Sequence, residues 1–455
     1  MKIIILGAGQ VGGTTAESLA KEGNDVTIVD TNQHLLSRLQ DRLDIRTVNG
    51  HASSPETLIA AGIENADMLI AVTQNDEVNM VACQVANSLF QTPKKLARIR
   101  SSCYNEYENL FSPKDMPIDV TISPERLVTA YVHRMIEQPG VLQIVEFCAG
   151  KAQLVSVKVG ESSQMDGQPI TKLLDILPDI KMRVAAIFRD GKVMPERSRQ
   201  PLQPDDEIFF LALTHEIATL VKVFRPSYKP YNRVLIAGGG SIGRQLASLL
   251  EPNHQVIVIE RYEHQAKALE KSLPNIKVVH GSAGDAELLT EIDIEHIDAF
   301  CAVTNDDEAN ILSAMLAKRL GTRKVFSIIS KASHVELVKN TSIDVAISPA
   351  QVTIGTLLRH IRKGDVVKVH SLRQGAAEAI EVIVHGDADT SKIIGRSIQQ
   401  IKLPKSASVA AILRGDEVIF SDENLLIQSE DHLIIFISDQ KDIAAVERAF
   451  QLHFG

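Results

Sequence analysis

The sequence predicts an α/β fold built twice, two parallel-sheet domains each followed by a small α+β module, and three repeats carry that prediction. Ile4-Ile5-Leu6-Gly7-Ala8-Gly9-Gln10-Val11-Gly12 returns as Leu235-Ile236-Ala237-Gly238-Gly239-Gly240-Ser241-Ile242-Gly243, an offset of 231 (238 − 7). The stretch Asp67 to Asn79 returns at the same offset as Asp298 to Asn310. Val184-Ala185-Ala186-Ile187 returns as Val409-Ala410-Ala411-Ile412 at an offset of 225 (409 − 184), so a few residues are lost between the repeated segments. A fixed internal period organises the whole chain. It divides into 1–140, 141–225, 231–365 and 366–455, with Arg225 to Pro230 as linker, because two prolines four apart disfavour a continuing helix.

In the first segment, Val/Ile/Leu-rich strands at Lys2–Leu6, Asp25–Val29, Ile45–Val48 and Met68–Val72 alternate with helix-length stretches at Gly12–Glu22 and Leu35–Arg42. That alternation predicts a parallel sheet with helices on both faces. The second segment differs. Val155 to Val159 alternates apolar and polar, Arg189-Asp190-Gly191-Lys192 has turn chemistry, and Asp205-Asp206-Glu207 precedes the apolar run Ile208–Leu213, which together predict a small α+β module.

Composition narrows the function. With 455 residues, 44% hydrophobic and 23% charged, the chain has the balance of a globular protein of several cores. A formal charge of −9 argues against general nucleic-acid affinity. Apolar runs such as Ile208–Leu213 and Leu433–Ile437 fall far short of the roughly 20 residues that span a bilayer, so any membrane role is peripheral. Cys83, Cys103, Cys148 and Cys301 form no Cys-x-x-Cys pair and the histidines no His-Glu-x-x-His, so neither a disulfide frame nor a metal site is expected.

The glycine stretches carry the chemistry. Gly7, Gly9 and Gly12 follow an apolar strand and open a helix, the order in which a Rossmann-type loop makes its tight turn, admits phosphates and packs helix on strand. The helix N-terminus then offers free N–H groups and a positive dipole end to a pyrophosphate. Gly238, Gly240 and Gly243 repeat the pattern. Asp30 closes the next strand 18 positions beyond Gly12, and Glu260 closes Val256 to Ile259 in the second copy. A carboxylate there accepts ribose hydroxyls and repels a 2′-phosphate, which selects NAD over NADP.

Further on, Thr73-Gln74-Asn75-Asp76-Glu77-Val78-Asn79 follows the fourth strand at the edge where such sheets bind ligands. Asn75 and Asp76 could cap the next helix or touch nucleotide, and Thr73, nearest the strand end, is the better ligand candidate. Arg98 and Arg100, two apart, fall on one face of a strand and require an anion, either a phosphate or a carboxylate such as Asp76 or Glu77. With Lys95 and Ser101 matched to Lys324 and Ser330, the second copy carries Ser327 and Ile329 instead, so the two sites are expected to differ. The helix-forming stretch Leu127 to Ile136 is either an interface element or internal packing.

These motifs, taken with the segment order, resemble the TrkA family of peripheral Trk potassium-uptake proteins over the whole chain, the most specific stretches being Lys2 to Gly13 and Asn305 to Asn310. The resemblance implies that each parallel-sheet unit is an RCK (KTN) nucleotide-binding domain and each small module an RCK C-terminal domain. It implies nucleotide contacts from Gly7, Ala8, Gly9, Gln10 and Val11 with Asp30, Thr73, Gln74 and Arg98, and from Gly239, Gly240, Ser241 and Ile242 with Glu260; Gly12, Gly238, Gly243 and Thr304 complete the matched motifs. It implies NAD(H) and ATP/ADP as ligands, no catalysis, a ring-forming homotetramer, and action on a membrane potassium-translocating subunit at the inner face of the cell membrane. An NAD-dependent dehydrogenase and an RCK-type regulator of another cation channel or antiporter are the alternatives.

Overall fold

β1 (Lys2–Leu6), β2 (Asp25–Asp30), β3 (Arg46–Asn49), β4 (Met68–Ala71), β5 (Lys94–Arg98) and β6 (Val120–Ile122) form one sheet in the order β3-β2-β1-β4-β5-β6, all parallel. The computed structural model describes residues 1–105, 107–194, 200–338, 341–361, 366–372, 377–386, 391, 393–420 and 424–450. Ile3, Ile4, Ile5 and Leu6 are all buried, as a central parallel strand covered on both faces demands. The strand order reverses between β1 and β4, and that switch point is where open α/β sheets bind ligands.

β7 (Val141–Phe147), β8 (Ala152–Lys158), β9 (Met182–Arg189), β10 (Lys192–Met194) and β11 (Glu207–Leu213) make an antiparallel sheet in the order β10-β9-β11-β8-β7. Its β9–β10 hairpin turns on Asp190 and Gly191, both at positive φ, which is the left-handed pair a two-residue turn needs. The second half repeats both sheets. β12 (Arg233–Ala237), β13 (Gln255–Glu260), β14 (Lys277–His280), β15 (Ala299–Ala302), β16 (Lys324–Ile328) and β17 (Val345–Ile347) take the order β14-β13-β12-β15-β16-β17. β18 (Val366–Leu372), β19 (Ala377–Ile383), β20 (Ala407–Arg414), β21 (Glu417–Phe420) and β22 (His432–Ile437) take the order β18-β19-β22-β20-β21. The α/β fold with two Rossmann-type domains and two α+β modules is therefore as the sequence predicts.

The chain forms two compact units. One, residues 1–130, 235–252 and 256–357, carries both glycine loops. The other, residues 131–234, 253–255 and 358–455, carries both antiparallel sheets. In this second unit the modules share one core, in which Phe147, Phe188, Phe209 and Leu211 pack with Leu372, Leu413, Ile434 and Phe436. The Phe209 and Phe436 rings lie 5.8 Å apart. Buried Glu381 ties the modules further, accepting the Cys148 N–H at 3.2 Å while its other oxygen pairs with His432 Nδ1 at 2.8 Å. In the helix Pro124–Glu137, Val128, Val132, Met135 and Ile136 are buried, so these four positions of the Leu127–Ile136 stretch are taken up by packing within the chain, while Leu127 and Tyr131 are half-buried.

His370 sits in this module pair against the Phe147 ring, with a buried Nε2 that has no hydrogen-bond partner among the described residues. Burial, reinforced by the Lys368 and Arg134 charges, pushes its imidazole down to about 3. The neutral ring is thus favoured in the folded state, and its stability contribution is present above an unfolded value of 6.5 and lost as pH falls from there toward 3. Part of the side chain stays accessible, so the loss between pH 7 and 4 should be on the order of 1–2 kcal/mol rather than the full burial penalty. Urea melts at both pH values should show His370→Leu losing less stability on acidification than wild type; equal losses would exclude this ring as a cause.

Candidate nucleotide sites at the duplicated glycine loops

Gly7, at φ +104°, turns the chain out of β1, and its N–H bonds the Val29 carbonyl at 2.8 Å. A Cβ placed on Gly12 would overlap the Gly7 carbonyl oxygen, so only glycine lets the helix Gln10–Lys21 start this close to the strand. Gly9 is different: an added Cβ there meets nothing within 4 Å. The space in front of Gly9 is open, which is the cradle a phosphate requires.

What the helix leaves undone matters as much. Its N-cap Gly9 supplies no side-chain bond, and its first turn holds no acid, so the leading N–H groups and the positive dipole end stay available to an anion. The helix Asp76–Phe90 at the same sheet edge is the opposite case, capped by Asn75 and bearing Asp76 and Glu77 in its first turn. The second copy matches the first, with Gly240 as an open N-cap, no acid in the first turn of Ser241–Leu250, Gly238 at φ +109°, and an added Cβ on Gly243 overlapping Gly238 oxygen.

Asp30 and Glu260 both reach their loops. Asp30 accepts the Ala8 N–H at 2.6 Å and the Asn32 N–H at 2.8 Å, while Glu260 accepts those of Gly239 and Tyr262, both at 2.8 Å. Each acid therefore braces its loop from the end of the second strand. The copies differ in fit. Glu260 is one methylene longer and only 4% exposed, and at Gly239 a methyl like that of Ala8 would overlap Leu269 and crowd Glu260.

Thr73 is committed within the protein: its N–H and hydroxyl both donate to Asn79 Oδ1, at 3.0 and 2.7 Å. Asn79 in turn donates to the Thr73 and Arg98 carbonyls, tying the ends of β4 and β5 together. Thr304 and Asn310 repeat the clamp, with Ile328 in place of Arg98. Asn75 caps its helix through the Val78 N–H, and Asp76 accepts the Arg100 and Ser101 N–H groups. Gln74 is exposed at the same edge.

Two expectations need correction here. Arg98 ends β5 and Arg100 lies beyond it, and their shared anion is neither Asp76 nor Glu77 but Glu125, whose Oε1 accepts Arg98 at 2.9 Å and Arg100 Nε at 3.1 Å. Sequence spacing could not show a partner held on a separate helix. The repeat also shifts by one residue after the helix Asp307–Arg319: Lys95 N bonds Asp119 as Val325 N bonds Asp344, and Asp307 accepts from Ser330 and Lys331. The counterparts of Arg98 and Arg100 are therefore Ile328 and Ser330, not Ser327 and Ile329. The asymmetry stands, and Ala350 in Ile347-Ser348-Pro349-Ala350 replaces Glu125 of Ile122-Ser123-Pro124-Glu125.

Models of the TrkA-N domain match residues 3–124 and 234–349, and models of the TrkA-C domain match 154–225 and 387–451. The Trk system potassium uptake protein TrkA of Halomonas elongata is 50% identical over 452 residues, 99% of each chain. The chain belongs to the TrkA family of potassium uptake proteins. Among solved structures, the GsuK channel bound to NAD shares the fold at TM-score 0.60 and 17% identity, covering 99% of this chain and 78% of that one. GsuK bound to ADP gives 0.50 and 16%, covering 79% and 70%. TrkA-family membership places both glycine loops in TrkA-N domains and both antiparallel sheets in or beside TrkA-C domains. No helix among the described residues is long and apolar enough to cross a membrane.

Proposed function

We propose that this chain is the nucleotide-sensing regulatory subunit of a Trk-type potassium uptake system, binding NAD(H) and ATP/ADP and setting the activity of a membrane potassium-translocating subunit. The observation that carries this reading is the pair of uncapped, acid-free helix N-termini behind open glycine N-caps, each beside a strand-end carboxylate. In the first site Gly7 to Gly12, with Asp30, Gln74 and Arg98, would hold the nucleotide, and Thr73 would shape the edge through its Asn79 clamp. In the second, Gly238 to Gly243 and Glu260 would do so, with Thr304 in the Thr73 role. Two GsuK structures, one bound to NAD and one to ADP, support both ligand classes on this fold. The relatives' names support potassium uptake; the regulatory role without catalysis and docking at the inner face of the cell membrane are part of the proposal. Duplicated units in one chain suit closed self-association as a homotetramer.

The test pairs binding with transport. NADH titration by calorimetry should show Asp30→Ala weaker than wild type by about tenfold or more, since the change removes a ribose acceptor and a loop brace together. Asp30→Asn, which keeps one acceptor oxygen, should fall between. Potassium flux in vesicles holding the translocating subunit should then depend on nucleotide with wild type and respond only at higher NADH with Asp30→Ala. Nucleotide-independent flux would refute the regulatory role, and unchanged affinity would remove Asp30 from the site.

A further inference from the structure

Resting on that reading of the first site, we propose that Glu125 is its resident anion, a carboxylate that holds Arg98 and Arg100 until a nucleotide phosphate takes them, so that binding releases the start of the helix Pro124–Glu137. The cluster is incomplete as it stands. Both guanidiniums share Glu125 Oε1, while the buried Glu125 Oε2 and Arg98 Nε have no hydrogen-bond partner among the described residues. Buried polar groups are rarely left so, and each one calls for an explanation; a second arrangement that satisfies both is the one proposed. Asp76 does not complete it: its Oδ2 accepts the Arg100 and Ser101 N–H groups, and its buried Oδ1 is itself without a hydrogen-bond partner among the described residues.

Placement points to a phosphate. Arg98 ends β5, and Asn79 ties its carbonyl to that of Thr73, whose backbone lies about 3.1 Å from where a Gly7 Cβ would be. The arginines thus stand on the β4–β5 side of the glycine loop, away from Asp30 on β2, where the part of a nucleotide beyond its loop-bound phosphates extends. Guanidiniums bind phosphate oxygens in bidentate fashion more strongly than they share one carboxylate oxygen. Glu125 sits in the first turn of its helix, so losing the arginines changes that helix start.

The second copy is a built-in control. It keeps the architectural clamps, Thr304 with Asn310 and Asp307 with the Ser330 and Lys331 N–H groups, yet has Ile328, Ser330 and Ala350 where the cluster would be. All three charges are absent together, which separates the cluster from the scaffold.

Titration of wild type and Glu125→Gln with ATP and with inorganic pyrophosphate distinguishes the possibilities. Loss of the competing carboxylate should tighten both ligands at the first site by about tenfold. Hydrogen exchange in 124–137 should rise on ATP binding in wild type and become ATP-independent in Glu125→Gln. The triple change Arg98→Ile, Arg100→Ser and Glu125→Ala copies residues the second sheet already folds with, and should bind ATP at the first site more weakly than wild type. Equal or weaker binding by Glu125→Gln, with wild type still binding, overturns the proposal and leaves the nucleotide reading intact. No binding by any of the three overturns both.

Discussion

Gly12→Ala is expected to abolish nucleotide binding at the first loop and to destabilise the protein by about 3 kcal/mol, the upper range for forcing atoms into a packed site. The added Cβ would overlap the Gly7 carbonyl oxygen and lie 3.0 Å from its carbon, and both are backbone atoms. Gly7 cannot yield easily, because its φ of +104° and its bond to the Val29 carbonyl fix the turn. Gly9→Ala is the informative contrast. Its backbone is at φ −65°, ψ −168°, an extended conformation open to any residue, and its Cβ would meet no protein atom within 4 Å. Stability should hold within about 0.5 kcal/mol, as for ordinary substitutions without strain, while NADH affinity drops because the methyl fills the cradle. Urea unfolding and calorimetric titration of the two variants separate the glycine that the fold requires from the one that the ligand requires. Equal stability losses in both would show that the loop has no open side and is not a phosphate site.

Much of this was legible because local rules govern it. The strand-turn-helix order around Gly7, Gly9 and Gly12 needs no distant partner, and the acid at the end of the next strand follows from parallel pairing of β1 with β2. Capping by Asn75 was one of the two readings that local sequence left open, and the structure shows the cap. Glu125 was not, because it meets Arg98 across 27 positions and from another element, a contact that side-chain periodicity does not encode. The repeat did hold a signal for it: two arginines and one glutamate vanish together from the second copy, once Ile328 and Ser330 are matched to Arg98 and Arg100. A one-residue shortening between the helix Asp307–Arg319 and β16 hid that match, because pairing Lys95 and Ser101 with Lys324 and Ser330 sets an offset of 229 (324 − 95) where the hydrogen bonds give 230 (325 − 95). Thr73 shows the reverse limit. Its position at the strand end is right for a ligand contact, but a neighbouring asparagine claims its donors, and sequence does not rank competing hydrogen bonds.

Asp206→Ala is expected to cost about 1.5–3 kcal/mol, the range for losing hydrogen bonds to a charged group, because the Arg189 side chain is 24% exposed and can regain water. Asp206 is fully enclosed, and its oxygens accept Arg189 Nε at 2.8 Å, a second Arg189 nitrogen at 2.6 Å and the Gln203 N–H at 2.8 Å. Arg189 closes β9 and Asp206 precedes β11, so the pair fixes the hairpin end of the sheet. The bond to Asp206 also holds the Arg189 guanidinium above its ordinary pKa. Arg414 and Asp431 repeat every part of it, down to the Gln428 N–H at 2.8 Å. Asp431→Ala should therefore cost a similar amount. Because Phe209 and Phe436 meet in one shared core, neither module can lose its sheet without exposing the apolar face of the other. Either variant should consequently lower the melting of both antiparallel sheets in a single transition, and the double variant should lose less than the sum. Hydrogen exchange resolved along the chain reads this directly, through protection in β8 and in β19. If Asp206→Ala opens β8 while β19 keeps its wild-type protection, the modules fold independently and the shared core does not couple them.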